Sequence, residues 1–328
     1  MSKDNKDEEL QDFLLDDKDF QNAIKKTRRK SVIKNVSITL IILLVGYILM
    51  YSVSSHILAN NIHKTDVVES RWLYLTEPNI QQNGVMYSYN MFSSDSVHSY
   101  SKRFDERSVP WVTRTGNFTL RNATKETIQT TEFFSEEENQ QVILNNQNGQ
   151  RELQFYHPSV NYSNLPNGLN VLDELSSNTL AEYAISFDKA YPFHEVQEML
   201  NKNHTEWLWV DVEYEENIQM MQQQEERDFP STFRSGQVYG YPYNSITDWS
   251  TPDFFINQLR HEEIQSSSYH RDVANDLLKM LKEDNPELIP EEVHIIGAVL
   301  TGTADELREY QDKEFIRASS LGASINKY

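Results

Sequence analysis

Cysteine is absent from this chain of 328 residues. Its absence excludes disulfides, thiolate metal sites and cysteine nucleophiles. Exported eukaryotic domains of this size often carry disulfides, so an exported domain without cysteine favours a bacterial surface protein. Cationic residues are also few, with 30 Lys and Arg against 50 Asp and Glu and a formal net charge of −20. Direct nucleic acid binding is not expected, because it requires clustered cations that displace counterions from phosphates.

Charged residues are missing altogether from one segment, Val36 to Leu58, which reads VSITLIILLVGYILMYSVSSHIL. As a helix it would be about 35 Å long, against a hydrocarbon core of about 30 Å. We therefore predict a transmembrane helix rather than a buried core helix. A cleaved signal peptide is the alternative, because Ser52-Val53-Ser54 offers small residues to a signal peptidase. The apolar run is longer than the roughly 7 to 15 residues of a signal peptide, so a retained anchor is favoured.

The charges on either side of this segment predict its orientation. Between Ala59 and Glu69 there is one Lys and there are two acids. By the positive-inside rule the N-terminus is cytoplasmic and the C-terminal part is extracellular. Residues 1–35 hold eight acids and nine bases, so removing their +1 from the total of −20 leaves −21 for the ectodomain. The residues that determine the topology are Lys25, Lys26, Arg28, Arg29, Lys30 and Lys34.

The segment before the membrane is too short to bury an apolar face of its own. We expect it either to dock as an amphipathic helix on a partner or to remain a solvated tail that only sets topology. Its acids suit a partner with a basic, apolar-lined surface, such as a nucleic-acid-binding protein. The candidate partner-binding residues are the apolar Leu10, Phe13, Leu14 and Phe20 and the acidic Asp12, Asp16 and Asp17.

The ectodomain changes character along its length. Residues 59 to about 175 are rich in Asn, Ser, Thr and Tyr, and their short alternating pieces are typical of strands. The turn residues of NYSNLPNGLN (161–170) indicate a domain boundary. Beyond them, a strand at 181–187, a helix from Pro192 to about Asn201 and a strand at 206–214 form a β-α-β unit.

A second β-α-β unit is predicted at the C-terminus. An apolar strand at 294–300 leads to a T-x-x-E capping box at Thr303 and Glu306, a helix to about Lys313 and an extended segment. Helices are predicted between the units at 252–265 and 268–283. The fold class is therefore an α+β ectodomain with ferredoxin-like β-α-β units in its C-terminal half.

The sequence patterns that resemble catalytic motifs are incomplete. Residues 297–303 have the glycine spacing of a phosphate loop, but Thr303 stands where its lysine is required. His261-Glu262-Glu263 begins like H-E-x-x-H and closes on Gln265. Trp207 and Trp209 share one strand face, which indicates core more than a ligand platform. We predict no enzymatic activity, no catalytic or metal site and no cofactor; an anchored hydrolase would need convergent acid and base groups.

Three stretches of the chain resemble one known family. They are DFQNAIKKTRRKSVIKNVSITLIILL (19–44), LAEYAISFDKAYPFHEVQEML (180–200) with WLWVDVEY (207–214), and VHIIGAVLTGTADELREYQDKEFIRASSLGAS (293–324). They are similar to the membrane-bound anti-sigma factors of Gram-positive bacteria that have sigma-factor-regulator N-terminal and C-terminal domains. The resemblance implies a cytoplasmic segment that holds an extracytoplasmic-function sigma factor and an ectodomain that receives an envelope stress signal.

One departure from other anti-sigma factors bears on the partner site. Many of them carry a zinc-associated helical domain with a His and a Cys-x-x-Cys, which this chain lacks. A short peptide must then contact the sigma factor, alone or with a second membrane protein. The expected organisation is a sigma-binding segment at 1–35, a transmembrane helix at 36–58, a β-rich extracellular region at 59–170 and an α+β regulator domain at 171–328. The alternative function is a membrane-anchored extracellular binding or assembly module without sigma-factor activity.

Overall fold

The computed structural model describes residues 4–104, 107–126, 131–135, 140–226, 231–243 and 250–326. Side chains are described from residue 20 onward, except those of 124–141 and residue 284. The chain divides into two units, Met1–Ala59 and Asn60–Tyr328. The architecture mixes helices and sheets, and one long helix with an apolar segment begins near the N-terminus, in agreement with the coarse prediction.

The described helices and strands follow in chain order. The helices are α1 Asp4–Thr76, α2 Phe193–Met199, α3 Glu215–Glu225, α4 Pro252–Leu259, α5 Glu262–Ser266, α6 Ser268–Asp284 and α7 Ala304–Leu307. The strands are β1 Ile80–Tyr89, β2 Ser93–Phe104, β3 Arg107–Thr119, β4 Ala123–Glu126, β5 Thr131–Ser135, β6 Gln140–Leu144, β7 Gln154–Phe155, β8 Thr179–Pro192, β9 Thr205–Val210, β10 Phe233–Arg234, β11 Gly240–Pro242, β12 His294–Thr303 and β13 Ile316–Asn326.

Helix α1 extends 18 residues past Leu58, where the uncharged segment ends. Neither Pro nor Gly occurs before Gly46, so nothing in the sequence interrupts its first turns. The helix ends just before Pro78, which cannot donate a backbone hydrogen bond. Asn79 then adopts a left-handed conformation with φ of 55°, which turns the chain into β1.

The first sheet is an antiparallel meander in the order β1-β2-β3-β4. Its inner side chains Tyr100, Phe104 and Trp111 are buried, and they form one cluster with Leu73 of α1 and Leu180 of β8. Residues 60–76 of α1 and the meander therefore fold as parts of the same unit as the C-terminal sheet.

The second sheet has five antiparallel strands in the order β11-β9-β12-β8-β13. One face packs on α2, α4, α6 and α7, and the predicted alternation of Tyr183, Ile185 and Phe187 toward this core is confirmed. The opposite face buries Trp207 and Trp209 against Phe155 of β7 and Phe233 of β10. Both tryptophans are therefore core residues.

Two predicted helices differ from the observed ones. The helix expected at 252–265 is broken between α4 and α5, where His261 is extended with ψ of 140°. Leu259 and Ile264 are both fully buried, and an unbroken helix would point them about 140° apart, so the break lets both reach the core. The helix expected from Thr303 to Lys313 ends at Leu307 and continues as a 3-10 turn, Arg308–Tyr310. The predicted capping box of Thr303 and Glu306 is present.

Candidate functional site

The predicted partner-binding residues lie on the backbone of α1. The side chains of Leu10, Asp12, Phe13, Leu14, Asp16 and Asp17 fall outside the described residues, so their arrangement stays a prediction. Phe20 is described and is 64% exposed. The six basic residues from Lys25 to Lys34 are exposed on the same helix. The apolar residues 36–53 that follow them are exposed as well.

The C-terminal end of α1 accepts hydrogen bonds from β9 and from the segment between β10 and β11. The carbonyl of Tyr74 would ordinarily accept from the residue four positions later, but that residue is Pro78, which has no N–H. Trp207 of β9 donates its indole Nε1–H to this carbonyl at 3.1 Å. The backbone N–H of Gly236 donates to the carbonyl of Thr76 at 2.7 Å. Distant parts of the chain thus satisfy two carbonyls in the last turn of the helix.

Side chains of the last turns of α1 contact the helical layer as well. Arg71 donates to Gln258 Oε1 of α4 at 3.0 Å and lies 3.5 Å from Glu263 Oε2 of α5. The ring of Trp72 packs edge-on against Tyr239 and His270, with centroid distances of 6.2 and 4.9 Å. These contacts orient the helix about its own axis within the unit 60–328.

A fully buried ion pair lies beside the helix end. Lys102 Nζ of β2 is 2.5 Å from Glu182 Oε2 of β8, and both side chains have 0% exposure. Asn79 donates from Nδ2 to Glu182 Oε1 at 3.0 Å and to the carbonyl of Arg103 at 2.9 Å. The Lys102 ammonium also lies 4.1 Å from the ring centroid of Trp111. The pair therefore joins the meander, the second sheet and the turn after α1.

A second carboxylate is buried near this ammonium. Burial raises the pKa of Glu152 above its usual range, and the charges of Glu77 and Glu182 act in the same direction. The Lys102 cation and a 3.1 Å hydrogen bond from Asn145 Nδ2 oppose the shift. Two acids thus lie near one buried cation, and the pKa of Glu152 stays above its usual range because the effect of burial outweighs the attraction of that cation.

A further ion pair ties the meander to the residue after the helix. Arg114 of β3 lies 2.6 Å from Glu77 Oε1, and its guanidinium is 5.0 Å from the ring centroid of Tyr100. We call the helix end Tyr74–Asn79, with Lys102, Arg114, Glu182, Trp207 and Gly236, the helix-end junction. Its hydrogen bonds and ion pairs join the last turn of α1 and the turn that follows it to both sheets.

The wall of a cavity of about 500 Å³ includes Gly236. Glu213, Asn217 and Tyr239 line the same cavity, and Asn217 Nδ2 donates to Glu213 Oε1 at 2.6 Å. Burial raises the pKa of Glu213 above its usual range. Gly236, in the wall of this cavity, therefore also donates to the helix end.

The two incomplete catalytic motifs of the sequence, at Thr303 and at His261, lie at the starts of helices. Thr303 caps α7, and His261 precedes α5 and contacts Glu263. Among the residues that the structure describes, no group of three or more His, Asp or Glu side chains is placed to hold a metal ion. Apart from Pro78, no local sequence pattern indicates the helix-end junction, because residues that bond to one another there are up to 160 positions apart along the chain.

Two protein-family models match the chain, and each match includes residues of the helix-end junction. The model described as "Sigma factor regulator N-terminal" matches residues 21–109, which include Thr76 and Lys102. The model described as "Sigma factor regulator C-terminal" matches residues 172–323, which include Glu182 and Trp207. The predicted partner-binding residues, from Leu10 to Phe20, precede both matched ranges. No curated protein and no solved structure matches the chain.

Proposed function

The chain belongs to the sigma factor regulator family, and we propose that it is a transmembrane anti-sigma factor. Its cytoplasmic segment sequesters an extracytoplasmic-function sigma factor, and its ectodomain responds to an envelope signal. The observation that carries the proposal is the pair of family matches, of which the N-terminal one includes the apolar segment and residues on both of its sides. The proposal assigns partner binding and no enzymatic step.

Sigma binding falls to residues 1–35 in this proposal. Leu10, Phe13, Leu14 and Phe20 are the apolar contacts, and Asp12, Asp16 and Asp17 pair with basic residues of the sigma factor. The extension of α1 from Asp4 supports a helical contact surface. A second membrane protein is a further proposed partner.

The proposed location is the cell membrane, with a single pass, a cytoplasmic N-terminus and an extracellular C-terminal part. The basic residues from Lys25 to Lys34 support this orientation. The absence of cysteine supports a bacterial envelope, and the resemblance extends the proposal to Gram-positive bacteria and envelope stress.

The ectodomain is proposed to be divided near residue 170, with a ferredoxin-like C-terminal part. The strand order β13-β8-β12-β9 supports this topology, because it alternates the two β-α-β units in one antiparallel sheet. The helix-end junction is the proposed route from this sheet to α1.

Capture of a sigma factor tests the proposal. We expect the tagged full-length protein, isolated from its native host, and a peptide of residues 1–30 to recover the same sigma factor. Replacing Phe13 and Leu14 with Ala should weaken peptide binding by about tenfold or more, since each buried apolar side chain stabilises by about 1.5–3 kcal/mol. Replacing Asp16 and Asp17 with Asn should reduce the salt dependence of binding.

The matched control replaces Asn5 with Ala, outside the apolar stripe, and should leave affinity unchanged. Recovery of no sigma factor by the full-length protein would overturn the proposal. Deletion of residues 1–24 separates it from the alternative of an anchored binding or assembly module: the anti-sigma function predicts that a set of promoters is derepressed, and the alternative predicts none.

A further inference from the structure

One wall of the cavity beside Gly236 is a single face of α3. Asn217, Met220, Met221 and Gln224 line this wall. Their mutual spacing of three and four residues places them on the same side of the helix, because an α-helix has 3.6 residues per turn. Met221 is buried, whereas Met220 and Gln224 are exposed. This face of α3 therefore offers both carboxamide and apolar groups to a ligand.

Another part of the wall is a tight turn that bonds to α1. Residues 234–237 form this turn, and the backbone N–H of Gln237 closes it by donating to the carbonyl of Arg234 at 2.9 Å. Gly236 has a left-handed φ of 82°, which glycine adopts without strain. Its N–H donates to the carbonyl of Thr76 at 2.7 Å. A molecule held between α3 and this turn would therefore contact the backbone that bonds to the last turn of α1.

Tyr239 gives the cavity a second contact with α1. Its side chain lines the cavity, and its ring packs edge-on against Trp72 with the centroids 6.2 Å apart. Burial raises the pKa of Tyr239 above its ordinary value, so its hydroxyl stays protonated at neutral pH. The hydroxyl can therefore donate a hydrogen bond as well as accept one.

The charges that line the cavity are balanced. Among the described residues of its wall, Glu213 is the one acid and Arg234 the one base. Glu213 Oε1 accepts hydrogen bonds from Asn217 at 2.6 Å and from the backbone N–H of Tyr214 at 3.0 Å. Phosphate and carboxylate ligands are ordinarily held by clustered cations, and polycations by an excess of acids. The lining therefore favours a ligand without net charge.

Most of the other polar groups in the described wall both donate and accept hydrogen bonds. They are the carboxamides of Asn217, Gln224 and Gln237 and four hydroxyls, that of Tyr239 among them. Each hydroxyl of a sugar likewise donates and accepts, and the C–H faces of a sugar ring can pack on Tyr239 and Met221. The volume of about 500 Å³ is typical of small-molecule sites. The strand in this wall, β10, has only two residues, which is short for pairing with a peptide backbone.

We propose that this cavity binds a small neutral saccharide that contacts Gln224 of α3 and Gln237 of the turn. The bound sugar holds the turn 234–237 in the conformation that donates to Thr76, so binding stabilises the end of α1. Its role as the envelope signal rests on the proposed anti-sigma function, whereas the binding itself does not.

Isothermal titration calorimetry of the full-length protein in lipid nanodiscs tests the binding. The probes are glucose, maltose, N-acetylglucosamine and N,N′-diacetylchitobiose. Glucuronate and glucosamine are their charged counterparts, and N-acetyl-trialanine amide is a neutral peptide. We expect at least one neutral saccharide to bind saturably at about 10 mM or below, and its charged counterpart to bind about tenfold more weakly. Binding of none of the four, or of the peptide alone, would overturn the proposal.

A matched pair of variants locates the site. Gln224→Ala should weaken saccharide binding by about fivefold or more, because a hydrogen bond to the sugar is lost. Gln219→Ala on the opposite face of α3 is the control and should leave the affinity unchanged. Both side chains are exposed, so neither change should affect folding. Equal affinities of the two variants would overturn the assignment to this cavity.

Hydrogen exchange tests the effect on α1. The saccharide that binds should slow exchange of the Gly236 amide by about threefold or more at saturation, because the turn then opens less often. Unchanged exchange at Gly236 would overturn the stabilisation of the helix end. Neither assay contains a sigma factor, so a failure of saccharide binding is distinct from a failure of the proposed function.

Discussion

The ion pair between Lys102 and Glu182 connects two sheets at a point that excludes water. Removing water from two charges costs several kcal/mol per ion, which the mutual attraction offsets only when hydrogen bonds complete the site. Asn79 supplies such a bond to the second carboxylate oxygen of Glu182. Loss of one partner therefore leaves the other charge buried without compensation.

We predict that Lys102→Met lowers the free energy of unfolding of the unit 60–328 by about 3–5 kcal/mol. Adding Glu182→Leu to the same chain should recover part of that loss, because the unpaired carboxylate is then removed. Urea denaturation in detergent, followed by tryptophan fluorescence, measures both effects. Arg271→Met is the control, since Arg271 pairs with Asp272 at the surface, and it should change stability by less than about 1 kcal/mol. Equal losses for Lys102→Met and Arg271→Met would contradict the prediction.

The raised pKa of Glu152 gives a pH dependence with a definite sign. The folded state retains this proton to a higher pH than the unfolded state, whose pKa is near the ordinary 4.5. The associated stability is present below 4.5 and is lost as the pH rises through the raised pKa.

Glu152→Gln should therefore flatten the fall in unfolding free energy as the pH rises from about 4.5, the ordinary pKa of the group, toward neutrality. Glutamine retains an oxygen that can accept from Asn145. Denaturation midpoints across this pH range measure the effect. The exposed Glu198→Gln on α2 is the control, and the proposed cause fails if both variants alter the pH profile alike.

At this scale the predictable residues are those whose partners are close in sequence. Thr303 and Glu306 stand three residues apart, so their capping box follows from the sequence pattern. Lys102 stands in a polar, alternating strand, where a lysine is ordinarily exposed. Its burial depends on Glu182, 80 residues later, and no local pattern encodes that contact.

The end of α1 shows how an element acquires its boundary from tertiary structure. Pro78 removes the donor that would satisfy the carbonyl of Tyr74, and Trp207 replaces it. Trp209 occupies the same strand face and is equally buried, with its ring against Phe155 and Phe233. The two tryptophans are therefore alike in strand face and burial, and Trp207 also donates a hydrogen bond to the helix end.

We predict that Trp207→Phe destabilises the unit 60–328 by about 0.5–1.5 kcal/mol more than the lost indole volume alone would, because the hydrogen bond from the indole to the carbonyl of Tyr74 is lost. Hydrogen exchange of the amides at 74–80 should accelerate. Trp209→Phe removes a similar volume from the same face and is the control for packing. Equal exchange rates in the two variants would show that the hydrogen bond does not hold the helix end.

The elements predicted most accurately are those with a clear hydrophobic periodicity. The least accurate are those whose ends depend on tertiary packing. The strand with Tyr183, Ile185 and Phe187 has a clear period of two, and its face is as expected. The break at His261 serves the burial of Leu259 and Ile264, which the local pattern does not reveal. The extension of α1 to Thr76 likewise brings Arg71 and Trp72 into contact with the helical layer, which the local pattern does not reveal.

On the scale of the whole molecule, charge and hydropathy predict a membrane topology that thiol labelling can test. We expect a membrane-impermeant maleimide to label Asn203→Cys in intact cells and to label Asn22→Cys only after lysis. The reverse pattern would contradict the proposed orientation. Replacing Lys25, Lys26, Arg28 and Arg29 with Gln should increase the inverted fraction, because these cations flank the span. The same replacement at Lys3 and Lys6, far from the span, is the control and should have little effect.

The continuity of α1 from the apolar segment to Thr76 has a consequence for degradation. The helix runs to Thr76 and β1 begins at Ile80, and Leu73, Leu75, Thr76 and Ile80 are all buried. Among residues 59–80, which the structure describes throughout, the chain is helical to Thr76 and then turns into β1 without an extended linker. Proteases cleave exposed, locally opened chain, so in the proposed topology scission outside the membrane requires part of the helix to unwind first. Where opening is fast relative to cleavage, its free energy sets the cleavage rate, and we expect the contacts of the helix-end junction to slow the loss of the unit 60–328.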